Sequence, residues 1–414
     1  MSQAVASLST PTTNHRALYS QRGQAAPSMP RLSTADVEGR ISFVYGFPDP
    51  DSLPAAAIAT ATTQALTAHG RTALQYGDTT GYPGLIEVLR TKLKRDQGID
   101  VAANQVLITA GGSQAMALVL DTFVDWGDPV ISEMPTWLGA VQAFRNVGAR
   151  VIGVPVDDQG TDVEAVARAL DQLAAEGTRA KFIYVISNFQ NPTGITTSLA
   201  RRRRLIELAH AHDTLILEDD AYFDLRYGGD SLPSIFALDG GRSTMYLGTF
   251  SKTMGPGMRL GWLLAPAPII ATLASLKIDG GTNVFGAHVA AEWLPEHLTD
   301  HVDLLRTVYH RRRDLMLAAL AEHMPPGTTW TTPDGGFFIW VTFPTAIDTR
   351  RMLPQVRERG VDYLPGPACF SDASGQNQMR LSFSFASDDT IAPGIAVIGD
   401  VAKGELLEAG GERL

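Results

Sequence analysis

The regular alternation of short apolar strands with amphipathic helices is the feature that most constrains this fold. Between about residues 84 and 250, strand-like runs such as QVLIT, PVISE, RVIGVPV, KFIYVIS, TLILE and TMYLGTF are separated by helical stretches. In GLIEVLRTKLKRDQG, apolar residues recur on one helical face and Gly98 follows as a stop signal. Strands joined through helices require crossover connections, which make the sheet parallel and cover both of its faces. The sequence therefore predicts an α/β unit with a mostly parallel sheet.

The pattern changes after about residue 300. A long helix in HVDLLRTVYHRRRDLMLAALAEHM precedes two strands around an Asp334-Gly335 turn, a short helix at 349–359, the strand QMRLSFSF and a final helix. We therefore predict a large α/β domain at residues 61–299 and a smaller α+β domain formed by residues 36–60 and 300–414. Residues 1–35 are rich in Ser, Thr, Ala, Gln and Pro, which predicts a flexible arm.

Charge and cysteine content restrict the partners and the compartment. The formal net charge of −10 argues against nucleic acid or an anionic membrane as the main partner. The single cysteine, Cys369, cannot form an internal disulfide, which fits a reducing compartment. The N-terminus lacks the pattern of a signal peptide, and no apolar run approaches the ~20 residues that span a bilayer. We expect a cytoplasmic protein.

Polar groups follow several of the predicted strands, at the edge where open parallel sheets bind ligands. ITAGGSQAM carries a strand into a helix through a turn that contains Ser113 and Gln114. Free backbone N–H groups at such a helix start favour a phosphate. The alternative is that Ser113 only caps the helix.

Two further strands end in polar clusters. Glu218, Asp219 and Asp220 close the strand TLILE, and because buried acids are costly alone, at least one is expected to meet a positive group. A surface cluster or a metal site is the alternative, although no His or Cys lies directly beside these acids in the sequence to complete a metal site. Asn191 begins the turn NPTG after the strand KFIYVIS, and its composition alone indicates a structural turn.

The segment GTFSKTMGPGMRLGW places Lys252 in a turn rich in Ser, Gly and Pro, seven positions before Arg259. A lysine held in a rigid, poorly charged pocket has a lowered pKa, and its neutral amine forms a Schiff base with a carbonyl group. Arg259 supplies a planar cation suited to a phosphate.

Together these stretches resemble the fold type I pyridoxal-phosphate (PLP) enzymes, specifically class I/II aminotransferases near the 2-aminoadipate/kynurenine aminotransferase branch. SKTMGPGMRLGW resembles that branch's S-K-x-x-x-P-G-x-R-x-G-W, EDDAYFD resembles its D-x-A-Y, and FQNPTG matches its Q-N-P-T-G. The similarity covers roughly residues 40–400. It implies the PLP-dependent transferase fold type I, pyridoxal 5'-phosphate as cofactor, and transfer of an amino group from an L-α-amino acid to a 2-oxo acid.

The resemblance also implies roles for individual residues. Lys252 would hold PLP as a Schiff base and act as the base on the substrate, and Asp219 would pair with the pyridine nitrogen. Asn191 and Tyr222 would bond the 3-oxygen of the ring. The phosphate would be surrounded by Ser113, Gln114, Thr249, Ser251 and Arg259.

The remaining implied roles concern the ring face, the partner subunit and the substrate. Trp137 falls where the family stacks an aromatic on the ring. Tyr76 resembles the tyrosine that reaches the phosphate from the partner subunit, which requires a homodimer with shared active sites. Arg380 matches the arginine that binds the substrate α-carboxylate. Asn191, Gly46 and Tyr45 belong to the expected substrate side.

Three departures from the family pattern leave the substrate open. Tyr45 stands where a second glycine commonly precedes Gly46, Ser187-Asn188 replaces a frequent proline, and His288 lies near a position where glutamine is frequent. A helical histidine such as His288 is more often packed than catalytic.

Other outcomes on the same cofactor stay open at this point. They are elimination or replacement, cyclisation, and oxidative deamination, because the fold does not fix the fate of the carbanion. A PLP-binding regulatory module is an alternative of another class. It needs a DNA-binding domain, and the segment before residue 40 is short and poor in basic helices.

Overall fold

The computed structural model describes residues 15–25 and 39–411. The strands are β1 (Ile41–Ser42), β2 (Val106–Thr109), β3 (Pro129–Met134), β4 (Arg150–Asp157), β5 (Gly160–Thr161), β6 (Phe182–Ile186), β7 (Leu215–Asp219), β8 (Thr244–Thr249), β9 (Gly261–Leu264), β10 (Thr329–Trp330), β11 (Phe338–Thr342), β12 (Val361–Asp362), β13 (Leu364–Pro365) and β14 (Gln378–Ser382). The helices are α1 (Gln21–Ala25), α2 (Ala55–Ala73), α3 (Pro83–Gln97), α4 (Gly112–Phe123), α5 (Leu138–Asn146), α6 (Val163–Ala175), α7 (Leu199–Ala211), α8 (Ile235–Asp239), α9 (Ala267–Leu276), α10 (Val284–His323), α11 (Thr349–Glu358) and α12 (Asp388–Gly411).

The large sheet has eight strands in the order β2-β9-β8-β7-β6-β3-β4-β5. Strands β8, β7, β6, β3 and β4 run parallel, whereas β9 is antiparallel to both of its neighbours and β5 is antiparallel to β4. The predicted mostly parallel sheet is confirmed. The chain leaves β3 for β4 on one side and later returns with β6 on the other, so the strand order reverses at β3. The carboxyl ends of strands beside such a reversal are where open α/β sheets bind ligands.

Helices cover both faces of this sheet, as the alternating pattern predicts. Apolar side chains of α4, α5 and α9 pack on one face, and those of α6 and α7 pack on the other. The strands β2 and β6 are buried at every position, which explains their continuous apolar sequences. The start of α6 is fixed by Asp162, whose carboxylate accepts hydrogen bonds from the N–H groups of Glu164 and Ala165.

A second sheet with the order β10-β11-β14-β13 is antiparallel, and it shares a core with α10, α11 and α12. The N-terminal strand β1 pairs in parallel with β12. Helix α10 begins at Val284 and not near residue 301, so it continues through the domain boundary predicted at residue 300. Pro295 lies inside this helix, and a proline is locally a stop signal. The division into two domains stays a prediction.

The sequence patterns did not predict α1, α2, α5, α8, α9 or the first part of α10. Of the predicted N-terminal arm, residues 1–14 and 26–35 lie outside the described residues. Within the described part of the arm, Arg22 of the short helix α1 pairs with Asp121 of α4 at 3.2 Å. Across residues 15–25 and 39–411, no helix is both long and apolar enough to cross a bilayer.

Candidate active site

Lys252 lies just after β8, at the carboxyl edge of the large sheet. Its Nζ donates a hydrogen bond to the carbonyl of Gly46 at 2.8 Å. The ring centroids of Tyr222 and Phe337 lie 5.7 and 5.6 Å from Nζ. Burial of the amine and the positive charge of Arg380 lower the pKa of Lys252 to about 8, although the negative charge of Asp219 acts to raise it. A substantial share of neutral amine is therefore present near neutral pH.

Arg380, on β14, reaches the same place from the smaller sheet. Its Nη1 donates to Oδ1 of Asn191 at 2.9 Å, and its Nη2 donates to the carbonyl of Val44. The guanidinium carbon lies 4.2 Å from the ring centroid of Phe338. Its Nε is buried and has no hydrogen-bond partner among the described residues. Neighbours therefore fix the guanidinium plane, and the buried Nε–H is a donor that no described group satisfies.

Asp219 ends β7 and is buried. Its Oδ2 accepts a hydrogen bond from the Tyr184 hydroxyl at 2.8 Å, whereas Oδ1 is buried without a partner in the described part of the chain. Burial raises the pKa of Asp219 to about 6, although the Tyr184 hydroxyl, the backbone N–H of Ala221 and the positive charge of Lys252 act to lower it. A buried carboxylate oxygen without a donor is costly, and a cationic N–H group of a ligand would satisfy it.

The two other acids of the triplet are satisfied mainly by neutral donors. Glu218 accepts from the Ser187 hydroxyl at 2.6 Å and from two backbone N–H groups at the start of α8. Asp220 accepts from the Asn188 amide at 2.9 and 3.0 Å. Burial raises the pKa of Asp220 to about 7, and the charge of Arg202 acts to lower it. The expected positive partners are thus near, but no ion pair within 4 Å joins any of the three acids among the described residues.

This arrangement gives a physical reason for one departure from the family pattern. A proline before the Q-N-P-T-G turn would offer neither a hydroxyl nor an amide. Ser187 and Asn188 supply these donors to two buried carboxyl groups, which would otherwise lack them.

The start of α4 lies beside Arg259. Gly111 precedes the helix with φ of +77°, and a Cβ there would lie 2.9 Å from Nη2 of Arg259. That Nη2 donates to the carbonyl of Ala110 at 2.7 Å. Gly111 is the N-cap and Ser113 is exposed in the first helical turn, so the alternative that Ser113 only caps the helix is wrong. Oε1 of Gln114 accepts from the N–H of Ala110 at 2.7 Å.

Thr249 and Ser251 lie at the neighbouring strand end. The Thr249 hydroxyl donates to the Ser251 hydroxyl at 2.9 Å. In the sheet register, Thr249 of β8 and Thr109 of β2 both lie opposite Gly261 of β9. The ends of β2 and β8 therefore flank the start of β9, and the structure brings together all five predicted phosphate residues: Ser113, Gln114, Thr249, Ser251 and Arg259.

Three of the remaining predicted residues differ in their burial. Tyr45 is buried and stacks on Phe47 with centroids 4.8 Å apart, directly beside Gly46. Trp137 precedes α5 and is half-buried against the helical layer. Tyr76 is 85% exposed.

His288 is a packed histidine. It is 3% exposed and stacks on Tyr82 with centroids 3.6 Å apart, next to His69. Burial and the neighbouring His69 lower its pKa. No described contact links His288 to Lys252.

Sequence reasoning missed several residues that shape the site. Phe337 and Phe338 line Lys252 and Arg380, and Tyr184 holds Asp219. The FF pair after the Asp334-Gly335 turn resembled ordinary strand residues. Tyr184 lies in the middle of the apolar strand β6. Its hydroxyl was the one feature of that strand that could have indicated a buried polar partner.

The donors and acceptors at this edge fit PLP. A buried carboxylate oxygen lacks a donor, a lysine amine has a lowered pKa, and a helix start carries an arginine beside it. In residues 15–25 and 39–411, no group of three His, Cys, Asp or Glu side chains is placed to hold a metal ion. A mostly parallel sheet with this set at its carboxyl edge defines a PLP-dependent transferase of fold type I.

Comparison with known proteins gives the family within that class. Residues 44–398 match the family model of aminotransferase class I and II, and the chain belongs to this family. It is 36% identical to aromatic-amino-acid aminotransferase 1 of Thermococcus litoralis over 96% of this chain and 97% of the relative.

Two solved structures are similar over nearly the whole chain. One is Pyrococcus horikoshii kynurenine aminotransferase in complex with PMP, with 37% identity, a TM-score of 0.89, and coverage of 95% of this chain and 98% of the other. The second is the α-aminoadipate aminotransferase LysN of Thermus thermophilus, complexed with N-(5'-phosphopyridoxyl)-L-leucine, with 32% identity, a TM-score of 0.87, and coverage of 95% and 100%. The predicted family, fold class, cofactor PLP and aminotransferase activity are confirmed.

Proposed function

We propose that amino transfer takes place at the cluster around Lys252, Asp219 and Arg380. The observation that carries this proposal is the convergence, at one sheet edge, of a lysine amine with a pKa of about 8, a buried unpartnered carboxylate oxygen and a buried arginine. When bound, PLP supplies a carbonyl group for the amine and an electron-accepting ring for the substrate.

Lys252 holds the cofactor through Nζ and, once released, moves a proton. Its neutral amine would take the proton from the substrate Cα and would deliver it to the cofactor carbon that carried the carbonyl group. The lowered pKa makes the neutral form available at a pH where an ordinary lysine is almost fully charged. Because Gly46 accepts a hydrogen bond from Nζ, it orients the amine.

Asp219 and the residues near it orient the ring. Oδ1 of Asp219 would accept a hydrogen bond from the ring N–H, while Tyr184 holds the other carboxylate oxygen in place. Asn191 and Tyr222 would bond the 3-oxygen, and Trp137 would cover a ring face. The phosphate is held by Ser113, Gln114, Thr249, Ser251 and Arg259, where a helix start and a guanidinium favour an anion.

Arg380 binds the α-carboxylate of the amino acid, with Asn191 holding its plane. Tyr45 and Gly46 border the side-chain site. Tyr45 and its neighbours Phe47 and Phe385 form a cluster of three rings here. We therefore propose an aromatic amino acid as the preferred donor, in line with the names of two of the similar proteins.

A screen of amino acids against 2-oxo acid acceptors, with the products identified, tests this function. We expect phenylalanine or kynurenine to react with a higher kcat/KM than 2-aminoadipate. Replacement of Tyr45 by alanine should lower the preference for the aromatic donor, measured as its kcat/KM divided by that of 2-aminoadipate. Product formed equally well without any 2-oxo acid would instead indicate elimination or oxidative deamination.

We also propose a homodimer in which Tyr76 reaches the phosphate of the partner subunit. Segments 74–77 and 276–285 are adjacent, because the N–H of Gly77 donates to the carbonyl of Gly280 at 2.9 Å. They expose an apolar patch, here called the Tyr76 patch, made of Leu74, Tyr76, Leu276, Ile278 and Phe285. Exposed apolar surface of this kind favours association with another protein surface.

Ile278 is 95% exposed, so its replacement by aspartate should disturb the dimer without disturbing the fold. We expect Ile278→Asp to shift the mass measured in sedimentation toward the monomer and to lower activity in parallel. A fully active monomer would contradict the shared site. A cytoplasmic location also belongs to this proposal, on the ground of the single, buried Cys369.

A further inference from the structure

Glu133 is a buried carboxyl group to which the proposed chemistry gives no role. It lies near the end of β3, where the strand order reverses, and it is 0% exposed. Three donors from three different parts of the chain converge on it. They are the Thr161 hydroxyl at 2.6 Å, the Ile186 N–H at 2.9 Å and the Gln190 amide at 3.3 Å.

Gln190 extends this contact into the turn that carries Asn191. Its amide nitrogen also donates to the carbonyl of Pro135 at 2.7 Å. Its Oε1 accepts from both the N–H and the hydroxyl of Thr193, at 2.9 and 2.7 Å. Asn191 lies between Gln190 and Thr193 in the sequence, and the hydrogen bonds between these two residues fix the turn on both sides of it. The Oδ1 of Asn191 accepts a hydrogen bond from Arg380.

We propose that Glu133 is a positioning residue for the substrate carboxylate site: through Gln190 it fixes Asn191 against Arg380. This proposal rests on the roles proposed above for Asn191 and Arg380. Glu133 would touch neither the substrate nor the cofactor, and it would act only through the turn that carries Asn191.

The chemistry of the three donors explains why a carboxyl group is needed. An apolar side chain would leave the Thr161 hydroxyl and the Ile186 N–H buried without these acceptors, and it would leave the Gln190 amide with only the Pro135 carbonyl. A glutamine would keep an oxygen toward Ile186 and Gln190 and turn its NH2 toward Thr161, whose hydroxyl is able to accept. Burial raises the pKa of Glu133 to about 7, so the site tolerates a neutral group. Glu133→Gln is therefore the conservative variant.

Steady-state kinetics of the holoenzyme test the proposal. We expect Glu133→Ala to raise the KM for the amino acid about tenfold or more while kcat changes less than about threefold, since an unsatisfied buried donor displaces the turn. Glu133→Gln should keep the KM for the amino acid within about threefold of that of the unsubstituted enzyme. A Glu133→Ala variant with an unchanged KM, or a Glu133→Gln variant as impaired as Glu133→Ala, overturns the proposal.

Glu405 provides a matched control. It is 4% exposed and accepts from Arg351 at 2.7 Å and from Gln355 at 3.3 Å, on α12 and away from the site. Glu405→Ala should lower Tm and leave KM unchanged. If Glu133→Ala lowers Tm and leaves KM unchanged in the same way, Glu133 only stabilises the fold and the proposal is wrong.

Two further variants separate the possible failures. Gln190→Met removes the hydrogen bond between Gln190 and Glu133 while keeping the side-chain length. It should raise KM, and it can be measured even if Glu133→Ala does not fold. An unchanged KM for Gln190→Met overturns the proposal. Arg380→Ala tests the proposed carboxylate site itself. If Arg380→Ala leaves KM unchanged, the proposed function of this site fails. If Arg380→Ala raises KM and the Glu133 and Gln190 variants do not, only the positioning role fails.

Discussion

The lowered pKa of Lys252 leads to a quantitative prediction for capture of the cofactor by the apoenzyme. The perturbation is pH. With a pKa of about 8 in place of 10.5, the neutral fraction of the amine at pH 7 is about 9% and not about 0.03%, a gain of about three hundred-fold. The sign follows from burial, which disfavours the charged form of a lysine.

The assay is the rate of covalent PLP binding, followed by absorbance, with Nα-acetyl-lysine as the reference amine at every pH. The neutral fraction of Lys252 rises about fifty-fold from pH 6 to pH 8 and only about twofold from pH 8 to pH 9.5. The ratio of the enzyme rate to the reference rate should therefore fall steeply above pH 8. A constant ratio up to pH 9.5 would refute the reasoning, because Lys252 would then titrate as an ordinary lysine.

Three further predictions concern buried groups. Asp219→Asn should lower kcat about a hundred-fold or more, because it removes the negative charge proposed to pair with the ring N–H of the cofactor. Asp220→Asn is the control at a similarly buried acid, and it should lower Tm while leaving kcat within about threefold of the unsubstituted enzyme. Gly46→Ala should cost about 1–3 kcal/mol in urea denaturation and raise KM, since a Cβ there would lie 2.5 Å from a phenylalanine ring. Lys92→Met should destabilise the fold by about 3 kcal/mol, because Lys92 is 5% exposed and pairs with two aspartates. Lys94→Met is the control at a 65% exposed ion pair and should cost less than about 1 kcal/mol in the same measurement.

The candidate site was predictable to the extent that its residues lie in short motifs. Lys252 and Arg259 are seven positions apart, and Ser113 and Gln114 are adjacent, so their patterns could be recognised without a structure. The identity of the cofactor followed from these motifs. The conformation around them did not: Ser113 could equally have been an N-cap until the structure gave that position to Gly111.

Contacts between distant parts of the chain were not predictable in this way. Asn191 and Arg380 are 189 positions apart, and they meet because the turn after β6 faces β14 of the other sheet. Glu133 and Gln190 meet across 57 positions because β3 and β6 are neighbours in the sheet. Neither pair carries a sequence signal of its own.

The sequence by itself determined most strands of the large sheet, several helices and the cofactor motifs, because hydrophobic periodicity and turn residues act over a few positions. Only the tertiary structure decided that β3 lies between β4 and β6 and that α10 continues from Val284 past Pro295. It also decided that, within the described part of the chain, one carboxylate oxygen of Asp219 has no donor within hydrogen-bond distance. The physical reason is that strand order and burial depend on how all elements pack together. Periodicity specifies which face of an element is apolar, but not which neighbour will cover it.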